Sequence, residues 1–275
     1  MTNLQLGIEK TRRIVYNNGV SAKKKLRTER KQFMKRILAI IMSVLLVAAI
    51  TAGCGDKVVS SGTVQGTATE AKNEQKEGST VNYEPKTTET LMDISEVPAA
   101  DLNAADAEYQ HKAPAKGEEV CTIHTNYGDI SFKFFTEVAP KAVYSFKALA
   151  KAGRYDNTIF HRVINNFMIQ GGDYTNFNGT GGASAFGSEF DLEISDYLSN
   201  IEGSVAMANR GPGTNGSQFY INQVNNQYLD GGYTVFGQVY EGMDVVNKIA
   251  QVKTDANDKP VSDVIIEGVE LHSYE

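Results

Sequence analysis

The chain has 275 residues, enough for one large domain or two small ones, and a formal net charge of -6. That charge is uneven, because residues 1–36 contain eleven Lys and Arg against two Glu and carry +9, which leaves -15 for the remainder. Two cysteines and four histidines without ligand spacing exclude a disulfide framework and argue against a metal site. A basic segment before an acidic body is typical of a targeting segment or a nucleic-acid-binding arm.

The segment after the basic residues favours targeting. Residues 37–52 read "ILAIIMSVLLVAAITA", sixteen apolar or small residues without a charge. This run is short for a membrane span, which needs about 20 residues, but it suits the apolar region of a secretory signal. "MKRILAII" from Met34 is a complete signal beginning. We therefore interpret residues 1–33 as an upstream extension from a misplaced start codon, with a genuine basic cytoplasmic arm as the alternative.

The end of the apolar run predicts a lipid anchor. "TAGCGD" resembles the lipobox of bacterial lipoproteins, in which the cysteine is cleaved free, acylated (palmitate or a similar chain) and becomes the new N-terminus. The resemblance implies a signal peptide over residues 34–53 and lipidation of Cys54. The family usually has Leu three residues before the cysteine, and here Thr51 stands there. An uncleaved signal anchor is the alternative.

Composition then divides the exported part in two. Residues 54–117 are rich in Ser, Thr, Ala, Glu, Lys and Gln, contain two tyrosines and contain no Phe. Such a segment cannot bury enough apolar area to offset its ordering entropy, so it is predicted to be a flexible tether. Eleven of the twelve Phe and most Gly-rich turns lie beyond it, which predicts one folded domain over residues 118–275.

Strand signals recur through this domain. "VCTIHTNYGDISFKFF" predicts two strands around a turn, since apolar and polar residues alternate in its second half. Six further strands are predicted at 159–164, 167–171, 203–208, 218–223, 234–240 and 263–271. Two helices are predicted in "APKAVYSFKALAKAG" and "GMDVVNKIAQV", the first with Pro140 near its start and Gly153 past its end. The predicted fold is mainly β: a closed eight-stranded antiparallel barrel capped by two helices.

Three segments resemble the cyclophilins, a family of peptidyl-prolyl cis/trans isomerases. They are "FHRVINNFMIQGGD", "GSVAMANRGPGTNGSQFYI" and "LDGGYTVFGQV", and they occur in the family's order. The resemblance covers about Val120 to Leu271. It implies an eight-stranded barrel with two capping helices, isomerase (rotamase) activity on proline-containing polypeptides, and no cofactor or metal.

The resemblance also implies roles for individual residues. Arg162 would be the catalytic arginine, and Gln170 would hold and orient Arg162 or the substrate carbonyl. The residues implied to bind substrate are Phe167, Met168, Ala208, Asn209, Gln218, Tyr220, Tyr228, Leu229 and Tyr233. An arginine suits this chemistry, because a fixed donor aimed at the prolyl nitrogen favours the twisted amide over the planar one.

Three of these positions depart from the best-known eukaryotic pattern. Tyr220 stands where Phe is usual in the proline pocket, Tyr228 where those enzymes have Trp, and Tyr233 where they have His. The absence of that His excludes histidine acid–base chemistry at this position. His161, next to the catalytic arginine, is expected to be a hydrogen-bonded structural histidine.

The sequence thus predicts a monomeric isomerase domain, tethered outside a bacterial cell membrane by a lipidated cysteine and acting on exported or surface proteins. Nucleotide binding is not expected, because the Gly-rich "GPGTNGSQ" lacks the Lys-Ser/Thr ending of a phosphate loop. No nucleic-acid partner is expected either, because the segment after the basic residues favours targeting. Two alternatives stay open. One is a non-catalytic chaperone or scaffold that only binds Pro-containing segments. The other is an intracellular isomerase with an incidental apolar segment.

Overall fold

The computed structural model describes residues 83–102, 104–106 and 108–275. The predicted upstream extension, signal peptide and lipidated Cys54 lie outside these residues, as does the first part of the predicted tether. Among the helices of the described residues, none has the length and apolar character needed to cross a membrane.

The described residues form nine β-strands and two α-helices. The strands are β1 (Glu119–Thr125), β2 (Gly128–Phe134), β3 (Thr158–Ile159), β4 (Arg162–Ile164), β5 (Met168–Gly171), β6 (Ser204–Met207), β7 (Phe219–Asn222), β8 (Val235–Glu241) and β9 (Ile265–Ser273). The helices are α1 (Pro140–Lys151) and α2 (Met243–Ala250), and short 3-10 helices cover Ile94–Glu96 and Gln227–Leu229. Both predicted helices are therefore present.

All nine strands belong to one antiparallel sheet with the order β3-β9-β1-β2-β8-β6-β7-β5-β4. The two edge strands, β3 and β4, are separated in the chain by residues 160–161 alone, so the sheet curls until its edges approach. The prediction of a mainly β fold with two helices is confirmed. The predicted closed barrel is instead a curled sheet, because no strand pairing among the described residues joins the edge strands β3 and β4. The predicted strand at 159–164 is two strands, because its first part pairs with β9 and its second part with β5. This split gives nine strands instead of eight.

Aromatic packing fixes α1 against the sheet. Phe146, on the buried face of α1, contacts Tyr155 at 4.8 Å, Phe219 at 5.4 Å, Phe236 at 5.5 Å and Phe132 at 5.6 Å between ring centroids. Such offset and edge-to-face pairs add to the free energy of burying the rings themselves. This cluster holds the helix and strands β2, β7 and β8 together, and two of these strands, β7 and β8, lie beside the site residues.

The second helix packs through Val245, Val246 and Ile249, which are all buried. It begins after Gly242, which has a φ of +91°. A Cβ there would lie 2.3 Å from the carbonyl oxygen of Asp129. The turn from β8 into α2 therefore requires glycine for both its backbone conformation and its close approach to β2.

The described part of residues 83–117, which we call the strap, packs against the domain. At its start the Tyr83 hydroxyl donates to Asp263 Oδ2 over 2.6 Å, and the Lys86 ammonium donates to three main-chain carbonyl oxygens just after α1. Those carbonyls belong to Gly153, Arg154 and Asp156. Further along, the Leu91 N–H donates to the Ala185 carbonyl over 2.8 Å.

The end of the strap covers β2 and β8. The Lys133 ammonium of β2 donates to the Tyr109 carbonyl over 2.8 Å and to the Lys112 carbonyl. Ala105 and Gln110 are each 3% exposed, which puts them in the interior. These contacts differ from the expectation of a flexible tether over residues 54–117, because from Tyr83 onward the described chain is held by specific hydrogen bonds and by burial.

Candidate active site

Cross-strand pairing brings three of the predicted site residues into one row. Arg162 of β4 lies opposite Gln170 of β5, and Gln170 lies opposite Tyr220 of β7. The row continues to Ala206 of β6. Residues directly opposite each other on neighbouring strands project from the same face of a sheet. The register therefore sets a cation, an amide and an aromatic ring side by side, from three strands.

Arg162 is partly exposed and has one acidic neighbour. Its side chain is 43% exposed, and its Nε lies 3.4 Å from Oδ2 of Asp258. Asp258 has a φ of +63°, and its carbonyl accepts a hydrogen bond from the Val163 N–H over 2.8 Å. The loop that carries Asp258 is thus hydrogen-bonded to β4 and places a carboxylate beside the guanidinium group. No hydrogen bond joins Arg162 to Gln170 among the described residues.

Gln170 is oriented by a second glutamine. Its Nε2 donates to Oε1 of Gln218 over 2.9 Å. The Gln218 Nε2 in turn donates to the carbonyls of Gly179, over 2.9 Å, and Gly181, over 2.8 Å. Because an amide nitrogen donates and an amide oxygen accepts, this series of hydrogen bonds defines which way the side-chain amides of Gln170 and Gln218 point. It connects β5 to the loop at residues 175–182.

A buried carboxylate organises that loop. Asp173 is fully buried, and its oxygens accept main-chain N–H groups from Asn176, Gly179 and Gly181 over 2.9–3.0 Å. Burial alone would raise the pKa of Asp173, but main-chain N–H donors, including those of Asn176 and Gly181, hold the pKa below its usual range. Asp173 therefore stays ionised and keeps the Gly179 and Gly181 carbonyls in place for Gln218.

The apolar residues of the predicted site lie in one cluster. Met168 and Tyr220 are buried, and other predicted site residues pack against the same cluster while keeping part of their surface exposed. These partly buried residues are Phe167, Ala208, Leu229 and Tyr233. The ring of Tyr220 meets the ring of Tyr233 edge-on, with the centroids 5.7 Å apart. Tyr228 is 74% exposed and stacks on Phe167 at 6.2 Å, so it extends the apolar surface outward.

The polar residues of the predicted site line a cleft of about 250 Å³. Gln170, Ala208, Asn209 and Gln218 all contribute to its wall. The Ala208 N–H already donates to the Gln218 carbonyl over 2.9 Å, and the Asn209 side chain donates to the Gly232 carbonyl over 3.0 Å. These bonds fix the segment after β6, in which the family resemblance implies that Ala208 and Asn209 bind substrate.

A comparison with protein families matches residues 120–271 to the cyclophilin type peptidyl-prolyl cis-trans isomerases. The match covers more than half of the chain. It includes the whole sheet except the first residue of β1 and the last two residues of β9. The chain belongs to this family. It is thus an isomerase of the cyclophilin type, as the three sequence segments predicted. The strap lies before the matched region.

The similar proteins come from several different organisms. A putative peptidyl-prolyl cis-trans isomerase of Staphylococcus haemolyticus is 44% identical over 177 residues, covering 54% of this chain and 89% of that protein. Peptidyl-prolyl cis-trans isomerase 9 of Schizosaccharomyces pombe is 52% identical over 140 residues, but they form only 23% of its length. The crystal structure of a Cryptosporidium parvum cyclophilin type peptidyl-prolyl cis-trans isomerase matches with a TM-score of 0.55 and 40% sequence identity. The match covers 57% of this chain and 99% of that chain.

His161 corrects one expectation about this isomerase. It is 5% exposed, and neither ring nitrogen has a hydrogen-bond partner among the described residues. It packs against Gly179, whose φ is +88° and where a Cβ would lie 2.9 Å from the imidazole. The nearby Gln218 directs its donors to the loop carbonyls instead. His161 is therefore a buried imidazole that lies beside Gln218 without a well-formed hydrogen bond among the described residues, which local sequence could not reveal.

Acid should destabilise the isomerase through His161. Burial lowers its pKa to about 4 from an ordinary value of 6.5, with Arg162 and Lys259 contributing in the same direction. Well above pH 6.5 the imidazole is neutral in both the folded and the unfolded state, so His161 causes no loss of stability there. As pH falls from 6.5 towards 4, the His161 imidazole becomes protonated in the unfolded chain while it stays neutral in the folded chain. The free energy of unfolding should drop by up to roughly 3 kcal/mol across this window.

Denaturant unfolding at several values between pH 7 and pH 4 measures this loss, and His161→Gln is the matched variant because it has no titrating ring. The variant should show a correspondingly shallower decline below pH 6.5. Identical pH dependence of unfolding in wild type and variant would contradict the assignment.

Proposed function

We propose that this isomerase accelerates cis/trans isomerisation of Xaa–Pro bonds in exported or surface proteins, while an acylated Cys54 holds it at the outer face of a bacterial membrane. Arg162 is the catalytic group, Gln170 orients the substrate together with Gln218, and the apolar cluster around Phe167, Met168 and Tyr220 receives the proline ring. The protein acts as a monomer without cofactor or metal.

The mechanism follows from the chemistry of the prolyl amide. Conjugation gives the Xaa–Pro bond a rotation barrier of roughly 20 kcal/mol. Twisting the bond localises the lone pair on the prolyl nitrogen. A guanidinium group that donates to this nitrogen stabilises the twisted state more than the planar one, which is selective stabilisation of the transition state. No nucleophile is needed and no proton is transferred.

The observation that carries the proposal is the row of Arg162, Gln170 and Tyr220 on one face of the sheet, beside the apolar cluster. A cation next to an apolar slot is what this mechanism requires. A second crystal structure of the Cryptosporidium protein was determined in the presence of the dipeptide Ala-Pro, which supports a proline-containing ligand for this site.

A proline-isomerisation assay on the purified chain tests the activity. We expect the chain to accelerate exchange of an Xaa–Pro peptide, which can be followed by NMR without a coupling protease. Binding of the peptide without acceleration would favour the alternative, a non-catalytic chaperone or scaffold module.

The proposed location rests on the sequence before the domain. An apolar run without charges ends at Gly53 and Cys54, after a basic beginning at Met34. Acylation at Cys54 would leave residues 55–82 between the membrane and the strap. An isomerase held there would meet polypeptides as they leave the membrane, where uncatalysed proline isomerisation takes tens of seconds or longer.

Mass spectrometry of the native protein should find a lipid-modified N-terminal peptide that begins at Cys54. The Cys54→Ser variant should carry no lipid and should remain the uncleaved precursor, so peptides from residues 34–53 should still be present. Peptides from residues 1–33 in the mature protein would contradict both the cleavage and the start at Met34.

A further inference from the structure

A buried side chain of the strap bonds to the segment behind the apolar pocket. Gln110 is 3% exposed. Its Nε2 donates to the Ser199 carbonyl over 2.8 Å, and its Oε1 accepts from the Ser199 N–H over 2.9 Å. Nε2 also donates to Oε1 of Gln238 over 3.0 Å. The Gln110 amide therefore pairs with the main chain of Ser199 as a neighbouring strand would, and both ends of the amide are used.

The segment that Gln110 holds fixes the loop carrying Tyr228 and Leu229. The Ser199 hydroxyl donates to Oδ2 of Asp230 over 2.6 Å. Asn200 donates to Oδ1 of Asp230 from its main-chain N–H over 2.7 Å and from its side chain over 3.0 Å. The Asn200 carbonyl accepts the Asn226 N–H over 2.7 Å. Both ends of the loop at residues 226–230 are thus attached to residues 199 and 200.

The same segment holds the floor of the pocket. The Tyr220 hydroxyl donates to Oδ1 of Asn200 over 2.6 Å. Asn200 is 1% exposed and Tyr220 is 4% exposed, so this bond lies in the interior. Burial raises the pKa of the Tyr220 hydroxyl, which therefore remains a neutral donor. A phenylalanine, the usual residue here in the best-known family members, could not make this bond.

Apolar contacts run beside the hydrogen bonds. Ala105 of the strap belongs to the same buried cluster as Met168 and Tyr220, and the Tyr109 ring lies 5.2 Å from the Phe135 ring. Hydrogen bonds inside a protein polarise one another, and removal of one leaves its partners unpaired at a cost. Displacement of Gln110 would therefore disturb the whole chain of bonds from the strap to Tyr220.

We propose that Gln110 is a positioning residue for the substrate pocket. Through Ser199 and Asn200 it fixes the Tyr220 ring and the loop that carries Leu229, although it lies outside residues 120–271, which match the family. The inference rests on the proposed use of this pocket for proline. It makes the strap a part of the support of the active site, beyond any role of the strap in stability alone.

Steady-state kinetics of the full chain with an Xaa–Pro peptide test this inference. Gln110→Met keeps the length of the side chain and removes its hydrogen bonds. Because the pocket contacts the proline in both the planar and the twisted state, KM should rise about 3- to 10-fold while kcat stays within about twofold. Lys86→Met is the matched control, because it removes hydrogen bonds at the other end of the strap. It should lower the thermal midpoint and leave KM unchanged.

A double-mutant cycle separates positioning from general destabilisation. Tyr220→Phe cuts the same chain of bonds at the pocket end, so the combined variant should lose less than the sum of the two single losses in kcat/KM. If Gln110→Met does not fold, Ser199→Ala, which removes only the bond to Asp230, should raise KM in the same way. An unchanged KM in the folded variants, or additive losses in the cycle, would overturn the inference. If wild type binds the peptide without turnover, the proposed catalysis fails, and the same variants are then compared by peptide affinity in an NMR titration.

Discussion

Replacement of Arg162 by alanine should lower the turnover of an Xaa–Pro peptide about 10²- to 10³-fold, the effect of losing one fixed donor to a developing charge. Peptide affinity should fall only modestly, because the apolar cluster still receives the proline ring. Arg162→Lys should restore little, since a point charge on a flexible stem does not reproduce the planar, multiply donating guanidinium group. Line-shape or exchange NMR gives the rate, and a titration gives the affinity.

Two further variants test whether the loss of turnover is specific to the guanidinium group. Asp258→Asn removes the charge of its acidic neighbour, and both side chains of that ion pair are 43% exposed. A pair as exposed as this is worth at most about 1 kcal/mol, so the rate should change by less than about fivefold. Phe167→Ala should instead weaken binding and turnover together, because it removes a wall of the pocket that is used throughout the reaction.

The pH dependence of the rate gives an independent check. No proton moves in the proposed reaction, and burial holds the pKa of His161 at about 4. The rate should therefore be nearly constant between pH 6 and pH 8. A rate that follows a single ionisation near neutral pH would show that the electrostatic mechanism is wrong. Equal turnover in wild type and Arg162→Ala would show that the arginine is not the catalytic group.

The sequence predicted the elements whose local pattern is strong. Helix α1 has a proline at its start and a buried stripe that includes Phe146, and the hairpin of β1 and β2 has alternating residues around a turn. The break at residues 160–161 was not predicted. It depends on two different partner strands, β9 and β5, that approach from opposite sides, and a run of apolar residues does not specify its partners.

The site was predicted in its residue types but not in its connections. Family motifs name Arg162 and Gln170, whereas the bond from Gln170 to Gln218 and the carboxylate of Asp173 that holds the loop became visible only in three dimensions. Asp173 lies inside the first motif, and its place before a Gly- and Asn-rich segment is a signal that could have suggested a loop-organising carboxylate. The missing partners of His161 had no such signal, because the satisfaction of a buried group depends on distant segments.

Composition misled most at the strap. Few apolar residues and many polar ones are typical of disorder, because burial usually supplies the free energy of ordering. Here a small number of specific contacts takes that role. The Lys86 ammonium donates to three carbonyls, and Arg154 pairs with Glu89 over 2.6 Å. Both ends of the Gln110 side-chain amide are hydrogen-bonded to the main chain of Ser199. Composition counts residue types, but it does not show which hydrogen-bond partners the surface of the folded domain offers to these residues.

Removal of the strap should therefore cost the domain much of its stability. We compare a chain that starts at residue 83 with one that starts at residue 118, the boundary suggested by composition. In the shorter chain Lys133 loses the Tyr109 and Lys112 carbonyls, and Phe135 and Val138, both fully buried, lose part of their cover. The apolar contacts of Leu91, Met92, Val97 and Ala105 are lost as well.

The ordering entropy of the strap opposes these gains, so the net loss should be only a part of the gross contact energy. We expect the free energy of unfolding to fall by about 3 kcal/mol, which for a domain of this size lowers the thermal midpoint by about 6–12 °C. Circular dichroism during heating gives the midpoint, and urea unfolding gives the free energy. The chain that starts at residue 83 but carries Lys86→Met should fall between the two, because it keeps the contacts around Gln110 and Lys133. Equal midpoints for the two unmutated chains would show that the strap is the flexible tether that its composition predicts.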